Sequence, residues 1–413
     1  MKEFILANEV LNYVINDDIT FKKALKKVFP NGSDDRKYLS SVSSLVGCEL
    51  RHHLLFSRLV ENLHIELTNE EKGFLYLTFA NIFFLKHFKK EEVFSFLKGA
   101  LKDKYNEDIE KILTYEGNVG DLLNIDRTSL DYISIRFNTP TWLIKMWNKH
   151  YGKSITFKAL KANSLPLKNE YRYDENSNIS LNDDFVETDT ENIYSFVGKG
   201  SPRKLDVIEK NIIFPMKGIY KKILDDYIDD LSDEYCLYSG SDDALIKDLY
   251  IRSKNEKGIN VIVPDISKRA EMLRFIRVNK IKNINMFMGN EEIAFKTGIS
   301  HKQDMIIVNP LSSSFDKIRQ YPDYLIHFKR DSLDELINNE IHLLNDLSLF
   351  VNDDGLLLYM VDTMNKKETV GIVNNFLKDH QDFELVSDKQ YFPFEKENAT
   401  LYLAVIRKKA KND

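Results

Sequence analysis

GLLLYMVDTMNKKETVGIVNNFLKDHQDFELVSDKQYFPFEKENATLYLAVIRK, residues 355–408, is the stretch whose reading decides the fold. Three apolar runs, GLLLYMVD (355–362), FELVS (383–387) and LYLAVIRK (401–408), are separated by a helical window from Lys366 to His380 and then by a polar loop. A helix between two strands implies a crossover within one sheet, whereas a polar loop alone implies an antiparallel hairpin. Further runs lie upstream: YCLYSG (235–240), INVIVPD (259–265), INMFMG (284–289) and DMIIVNP (304–310), with helical windows at Lys268 to Asn279 and Leu333 to Phe350. Five strands joined by crossovers and closed by a hairpin predict an α/β domain, a seven-stranded Rossmann-like sheet filling residues 206–413.

Working toward the N-terminus, the pattern changes twice. Residues 126–205 open with a helix around Pro140 to His150, then lose helical periodicity, and DENSNISLNDDFVETDTEN (174–192) reads as surface loop with short strands. This stretch is expected to be a small α+β segment. Residues 1–125 read as helix after helix. Phe21, Ala24, Leu25 and Val28 recur at helical spacing, Ser33 and Asp34 are placed to cap a long helix running through Leu50, and Thr68 with Glu71 forms a capping box ahead of GFLYLTFANIFFLKHF. That last segment is apolar nearly all round and predicts the buried centre of an all-α bundle.

Composition narrows the function classes. The chain has 413 residues, 43% hydrophobic and 30% charged, with 26 Phe and 20 Tyr, so it folds and holds more than one domain. Two cysteines, Cys48 and Cys236, leave no disulfide framework, fit a reducing cytoplasm and read as small buried hydrophobes. The histidines have no ligand spacing, and no metal is expected. His52 and His53, in a helical stretch beside Arg51 and Arg58, are read as facing solvent. Glu3 and Glu9 interrupt the apolar N-terminus, and Phe74 to Leu85 is too short to span a bilayer, so neither secretion nor a membrane is expected. The expected species is a monomer. Net charge is −6, but residues 1–170 carry 25 Lys and Arg against 22 Asp and Glu, while the remainder carries 33 against 42. Any nucleic-acid contact should therefore lie in the first half.

The order of segments resembles a family. DDRKYLSSVSSLVGCELR (34–51), TPTWLIKMWNKHYG (139–152), LKANSL (160–165), YPD (321–323), DDGLLLYMVDTMNKKE (353–368) and FLKDHQDFELV (376–386) are similar, in order and spacing, to segments of bacterial 16S rRNA cytosine-5 methyltransferases of the Sun/Fmu type. The resemblance covers nearly the whole chain. It implies a NusB-like bundle, an RNA-contacting segment in which LKANSL forms a strand, a Rossmann-like catalytic domain, S-adenosylmethionine as cofactor and ribosomal RNA as partner.

The residues that carry the chemistry depart from that pattern. The family's nucleophilic cysteine follows the fifth strand, and this chain has Asp362 there; its second cysteine corresponds to Leu311, and the aspartate that would hold the base corresponds to Val308. A carboxylate is far less nucleophilic toward carbon than a thiolate and leaves more readily. The glycine-rich cofactor turn is reduced to Ser239, Gly240, Ser241, Asp242 and Asp243, of which Gly240 survives. The two aspartates read most simply as helix capping. Asp265 is placed to accept ribose hydroxyls, and Asn290 stands where the family has an aspartate facing the adenine amine. For RNA, Lys145, Lys149 and Lys161 with Asn163 are the candidate contacts, together with Lys153, Lys158, Trp142, Trp147 and Tyr151; the rival reading is a solvated helix face whose tryptophans belong to the core. The expectation is an RNA-binding pseudoenzyme of the family. Two alternatives stay open: an active methyltransferase using Asn309-Pro310 as an amino-group-type loop, and a NusB-like docking factor in ribosome assembly.

Overall fold

Helices follow one another from the first residues: α1 (Lys2–Ile15), α2 (Phe21–Val28), α3 (Leu39–Arg51), α4 (His53–Glu61), α5 (Asn69–Phe79), α6 (Lys90–Leu101), α7 (Glu107–Thr114), α8 (Leu130–Arg136) and α9 (Thr141–Asn163). The structure, a computed structural model, describes residues 1–165, 167, 169–198, 202, 205–228, 236–240, 243–253, 258–263, 266–287, 298–299 and 301–410. The chain divides into two compact units, Met1–Leu165 with Lys317–Lys329, and Pro166–Asp316 with Arg330–Asp413. The seams of these units are not the expected boundaries at 125 and 205.

In the first unit α5 is the buried centre, packed against α1, α3, α4 and α6. The capping box forms as expected: Thr68 Oγ1 accepts from Glu71 N, and Glu71 Oε2 accepts from Thr68 N. Beyond Phe79 the helix widens into a π-turn over Ala80–Leu85. The long helix expected through Leu50 is broken. Asp34–Tyr38 is a 3₁₀ turn capped by Ser33, and at His52 (φ −125°) α3 gives way to α4. The break is held from outside: the Asn138 amide donates to Leu50 O at 2.8 Å and accepts from Leu54 N at 3.0 Å, satisfying groups the interrupted ladder frees. Neither histidine simply faces solvent. His53 Nδ1 lies 2.6 Å from the buried carboxylate of Glu49, and His52 stacks on Phe84 with centroids 3.8 Å apart.

A second difference concerns α9, which runs on to Asn163. Gly152 (φ 82°, ψ 161°) kinks it, and helical structure resumes from Lys153, so LKANSL is the helix end and not the expected strand. The left-handed φ is open to glycine at little cost, which lets the chain break at Gly152 and start a second helical stretch at once. Residues 317–329 complete this unit. Phe21 N donates to Asp323 Oδ2 at 2.7 Å, His327 Nδ1 lies 2.7 Å from Asp18 Oδ1, and Ile326 packs against the bundle core.

The second unit contains two sheets. Strands β1 (Glu170–Tyr173), β2 (Phe185–Glu187), β3 (Ile193–Phe196) and β4 (Ile213–Pro215) form an antiparallel sheet ordered β2-β3-β1-β4, with α10 (Asp206–Glu209) leading into β4. The larger sheet comprises β5 (Cys236–Gly240), β6 (Ile259–Ile262), β7 (Ile284–Phe287), β8 (Gln303–Asn309), β9 (Val351–Val361), β10 (Phe383–Tyr391) and β11 (Leu401–Lys408). Its helices are α11 (Gly218–Tyr227), α12 (Asp243–Arg252), α13 (Ile266–Val278), α14 (Ser332–Ser348) and α15 (Val370–Asp379). The seven strands lie in the order β10-β11-β9-β8-β5-β6-β7; β5 to β9 are parallel, and β11 runs antiparallel between β9 and β10. The α/β fold and its closing hairpin are as the sequence predicts.

The central strands of this sheet are buried on both faces, which explains their unbroken apolar runs. On β9, Leu357, Tyr359 and Val361 enter one core, while Leu358 and Met360 enter the other. On β8, Ile306 and Val308 share the first core and Ile307 the second.

Candidate functional site

In the large sheet the strand order reverses between β5 and β8. Such a switch point, at the carboxyl ends of parallel strands, opens a crevice where doubly wound sheets bind ligands. Gly240 ends β5 opposite Asn309 of β8, and Asp362 follows β9 at the same edge.

Five side chains meet there. Lys217, just before α11, places its Nζ 2.7 Å from Asp316 Oδ2 and 2.8 Å from Asp362 Oδ1. Tyr220, one turn into α11, donates its hydroxyl to the Asp362 carboxylate, whose oxygens lie 2.7 and 2.6 Å away. The Asn309 amide donates to Met360 O at 2.9 Å and lies 3.4 Å from Asp362 Oδ2. Burial alone would raise the Asp362 carboxyl; the Lys217 ammonium and the Tyr220 and Asn309 donors outweigh it and hold the group below the usual carboxylate range. The same burial opposes charge on Lys217, but the two carboxylates hold it well above an ordinary lysine. Asp362 is therefore an ionised, hydrogen-bonded member of an ion cluster.

The loop after β8 is fixed as well. Glu368 accepts from Ser313 N and Ser313 Oγ, both at 2.6 Å, and from Asn365 Nδ2 at 2.7 Å, while Ser313 Oγ lies 2.6 Å from Thr363 Oγ1. This buried knot ties the segment after β8 to the segment after β9. Within it Leu311 is 58% exposed, whereas Val308 is fully buried in the core and reaches no ligand.

Of the predicted cofactor residues, Gly240 lies at the crevice, and Asp265 and Asn290 fall outside the described residues. Asp243 opens α12 and pairs with Lys247 at 3.0 Å, so a carboxylate already occupies the positive helix end. Cys48 belongs to the bundle, and burial pushes its thiol up to about 12. The side chain of Cys236 is outside the described residues.

The candidate RNA contacts lie on α9. Lys145, Lys149, Lys153, Lys158 and Lys161 are all exposed, and the helix contains no acidic residue. Asn163 is half-buried at its end. Trp147 is 1% exposed and belongs to the core, and half-buried Trp142 stacks near Phe328, so the tryptophans do not form the expected stacking surface. Sequence reasoning missed Lys217, Tyr220 and Asp316, which carry no motif, and Phe157, an exposed aromatic on the same helix.

The order β10-β11-β9-β8-β5-β6-β7, with its ligand edge at the switch point, defines a Rossmann-like methyltransferase fold carrying an N-terminal helical bundle. The resemblance to the ribosomal RNA methyltransferases is borne out. The chain is 22% identical over 260 residues to the "Probable ribosomal RNA small subunit methyltransferase B" of Bacillus subtilis (strain 168); the match takes in 59% of this chain and 57% of the relative, little more than half its length. Among solved structures, the crystal structure of PH0851 covers 98% of both chains with a TM-score of 0.74 at 14% identity. A methyltransferase homolog protein from Pyrococcus horikoshii covers 68% of this chain and 99% of its own, with a TM-score of 0.56 at 14% identity. No protein-family profile matches the chain. Among the described residues, no helix is long and apolar enough to cross a membrane, and no group of three His, Cys, Asp or Glu is placed to hold a metal ion.

Proposed function

We propose that this chain is a cytoplasmic RNA-binding protein, a monomer that engages ribosomal RNA through α9 and does not methylate cytosine at carbon 5. The observation that carries the second half is the state of Asp362. Attack on the pyrimidine ring needs a sulfur nucleophile at this position, and the group present is a carboxylate whose oxygens already accept from Lys217 and Tyr220. The neighbouring positions agree: Val308 is core and Leu311 offers no proton. The amino-group alternative loses ground as well, because the Asn309 side chain is 2% exposed and its amide is spent on Met360 O and Asp362.

The first half rests on the five exposed lysines of an acid-free helix, set against a chain of net charge −6. Clustered cations on one element supply the phosphate contacts that nucleic-acid binding requires. Functionally we assign residues 1–125 to a NusB-like bundle, 126–205 to RNA contact and 206–413 to the methyltransferase scaffold.

Incubating the purified chain with ribosomal RNA and S-adenosylmethionine tests both halves. RNA should be retained in a filter-binding assay, nucleoside mass spectrometry should find no 5-methylcytosine, and calorimetric titration should give no heat with the cofactor alone. Formation of 5-methylcytosine would overturn the pseudoenzyme reading. Failure to retain RNA would favour the docking-factor alternative.

A further inference from the structure

We infer that Phe157 is a stacking platform for an unstacked nucleobase of a single-stranded RNA segment, an inference that rests on the RNA-binding reading above. Phe157 is 45% exposed, a large apolar surface left in water on an otherwise lysine-rich helix. Its ring is held in place by Phe137, which follows α8: the two centroids are 5.5 Å apart at 90°, an edge-to-face contact. The Arg136 guanidinium in turn lies over Phe137, 5.3 Å from its centroid. The aromatic is thus preorganised by its own unit.

The surroundings select the occupant. Lys153, Phe157 and Lys161 are four residues apart and fall on one face of the second half of α9, all three exposed, with exposed Lys158 adjacent. A base has a π-face for the ring, and its flanking phosphates have charges for the lysines above and below. Base–aromatic stacking of this kind is worth about 1–3 kcal/mol per base and tolerates any sequence. A duplex offers the cations the same phosphates but covers each base with its neighbours, so only an unpaired strand gains from the ring. An apolar or basic protein surface would meet the ammonium groups of Lys153 and Lys161, and an acidic peptide would use the lysines without needing the phenyl ring.

The experiment compares binding of the full chain to a fluorescently labelled single-stranded RNA 12-mer and to its duplex at fixed salt. Phe157→Leu should weaken single-strand binding at least about five-fold, the lower end of the stacking range, while duplex binding and the salt dependence stay as in the wild type. Phe157→Trp should keep the affinity and show an emission quench on single-strand binding that the wild type lacks. Equal affinity of the leucine variant for the single strand would overturn the inference, as would equal losses on single strand and duplex or the absence of a quench in the tryptophan variant. Circular dichroism of both variants checks that α9 is intact. If Lys149→Ala with Lys161→Ala weakens binding while Phe157→Leu does not, RNA binding stands and the platform falls. If the wild type binds neither RNA, both fall together.

Discussion

Two groups of charges in this protein are built in opposite ways. In the second unit, Arg172 of β1 is 1% exposed and gives its Nε to Asp248 Oδ1 of α12 at 2.6 Å; Arg252 reaches the other oxygen at 2.6 Å and continues to Asp225 of α11 at 2.7 Å. This chain of pairs fastens the small sheet to the helices of the large one. The Lys217–Asp362 cluster also pairs opposite charges, with the lysine side chain 35% exposed. In the first unit, α9 carries the exposed lysines Lys145, Lys149, Lys153 and Lys161 without one acid on the helix. Charges that neutralise one another out of water hold elements in place; charges of one sign kept in water are available to an outside polyanion.

The strongest way to break this contrast is Asp248→Ala. It removes the buried partner of Arg172 and leaves that guanidinium to Tyr173 O and to the 43% exposed carboxylate of Glu175, and should cost about 3–5 kcal/mol, read from the denaturant midpoint of unfolding. A change below about 1 kcal/mol would mean that the pair is dispensable. The matching change in the other group, Lys145→Ala with Lys149→Ala and Lys161→Ala, should leave the midpoint within about 0.5 kcal/mol, as surface substitutions do. On single-stranded RNA it should lower the slope of log affinity against log salt by about 2, at roughly 0.7 per phosphate contact. An unchanged slope would remove α9 from the interface.

An effect that appears only as pH rises concerns Glu340 of α14, fully buried, whose carboxyl is pushed up to about 10 by burial and then by the nearby Glu368. Because the folded value lies above the unfolded one near 4.3, the folded chain keeps a proton that the unfolded chain releases, and stability falls as pH rises between the two values. Glu340→Gln should match the wild type near pH 4 and gain on it steadily as pH rises, by up to about 5 kcal/mol at pH 8, roughly 1.36 kcal/mol for each pH unit above the unfolded value. Parallel stability curves across that range would show that Glu340 ionises freely.

Much of the large sheet was legible because its central strands are apolar runs between turn signals, buried on both faces. Asp362 and Asn309 could be placed at strand ends for that reason. What holds them could not: Lys217 lies 145 residues from Asp362 and 99 from Asp316, and nothing local in FPMKGIY (214–220) marks the lysine as their partner. The extension of α9 was missed because Gly152 looks like an ending, and only the backbone shows that the helix resumes. Trp147 shows the converse failure. A tryptophan among lysines suggests stacking on RNA, but burial decides its role, and burial is a property of the assembled bundle.

The return of residues 317–329 to the N-terminal unit sets an order on biosynthesis. The first 165 residues leave the ribosome well before the segment that supplies Asp323 to Phe21 and Ile326 to the bundle core, and at about 5–20 residues per second the wait is roughly ten to thirty seconds. Throughout that interval the nascent bundle lacks one wall, so a ribosome stalled anywhere before Lys329 would display an N-terminal region that has not finished folding.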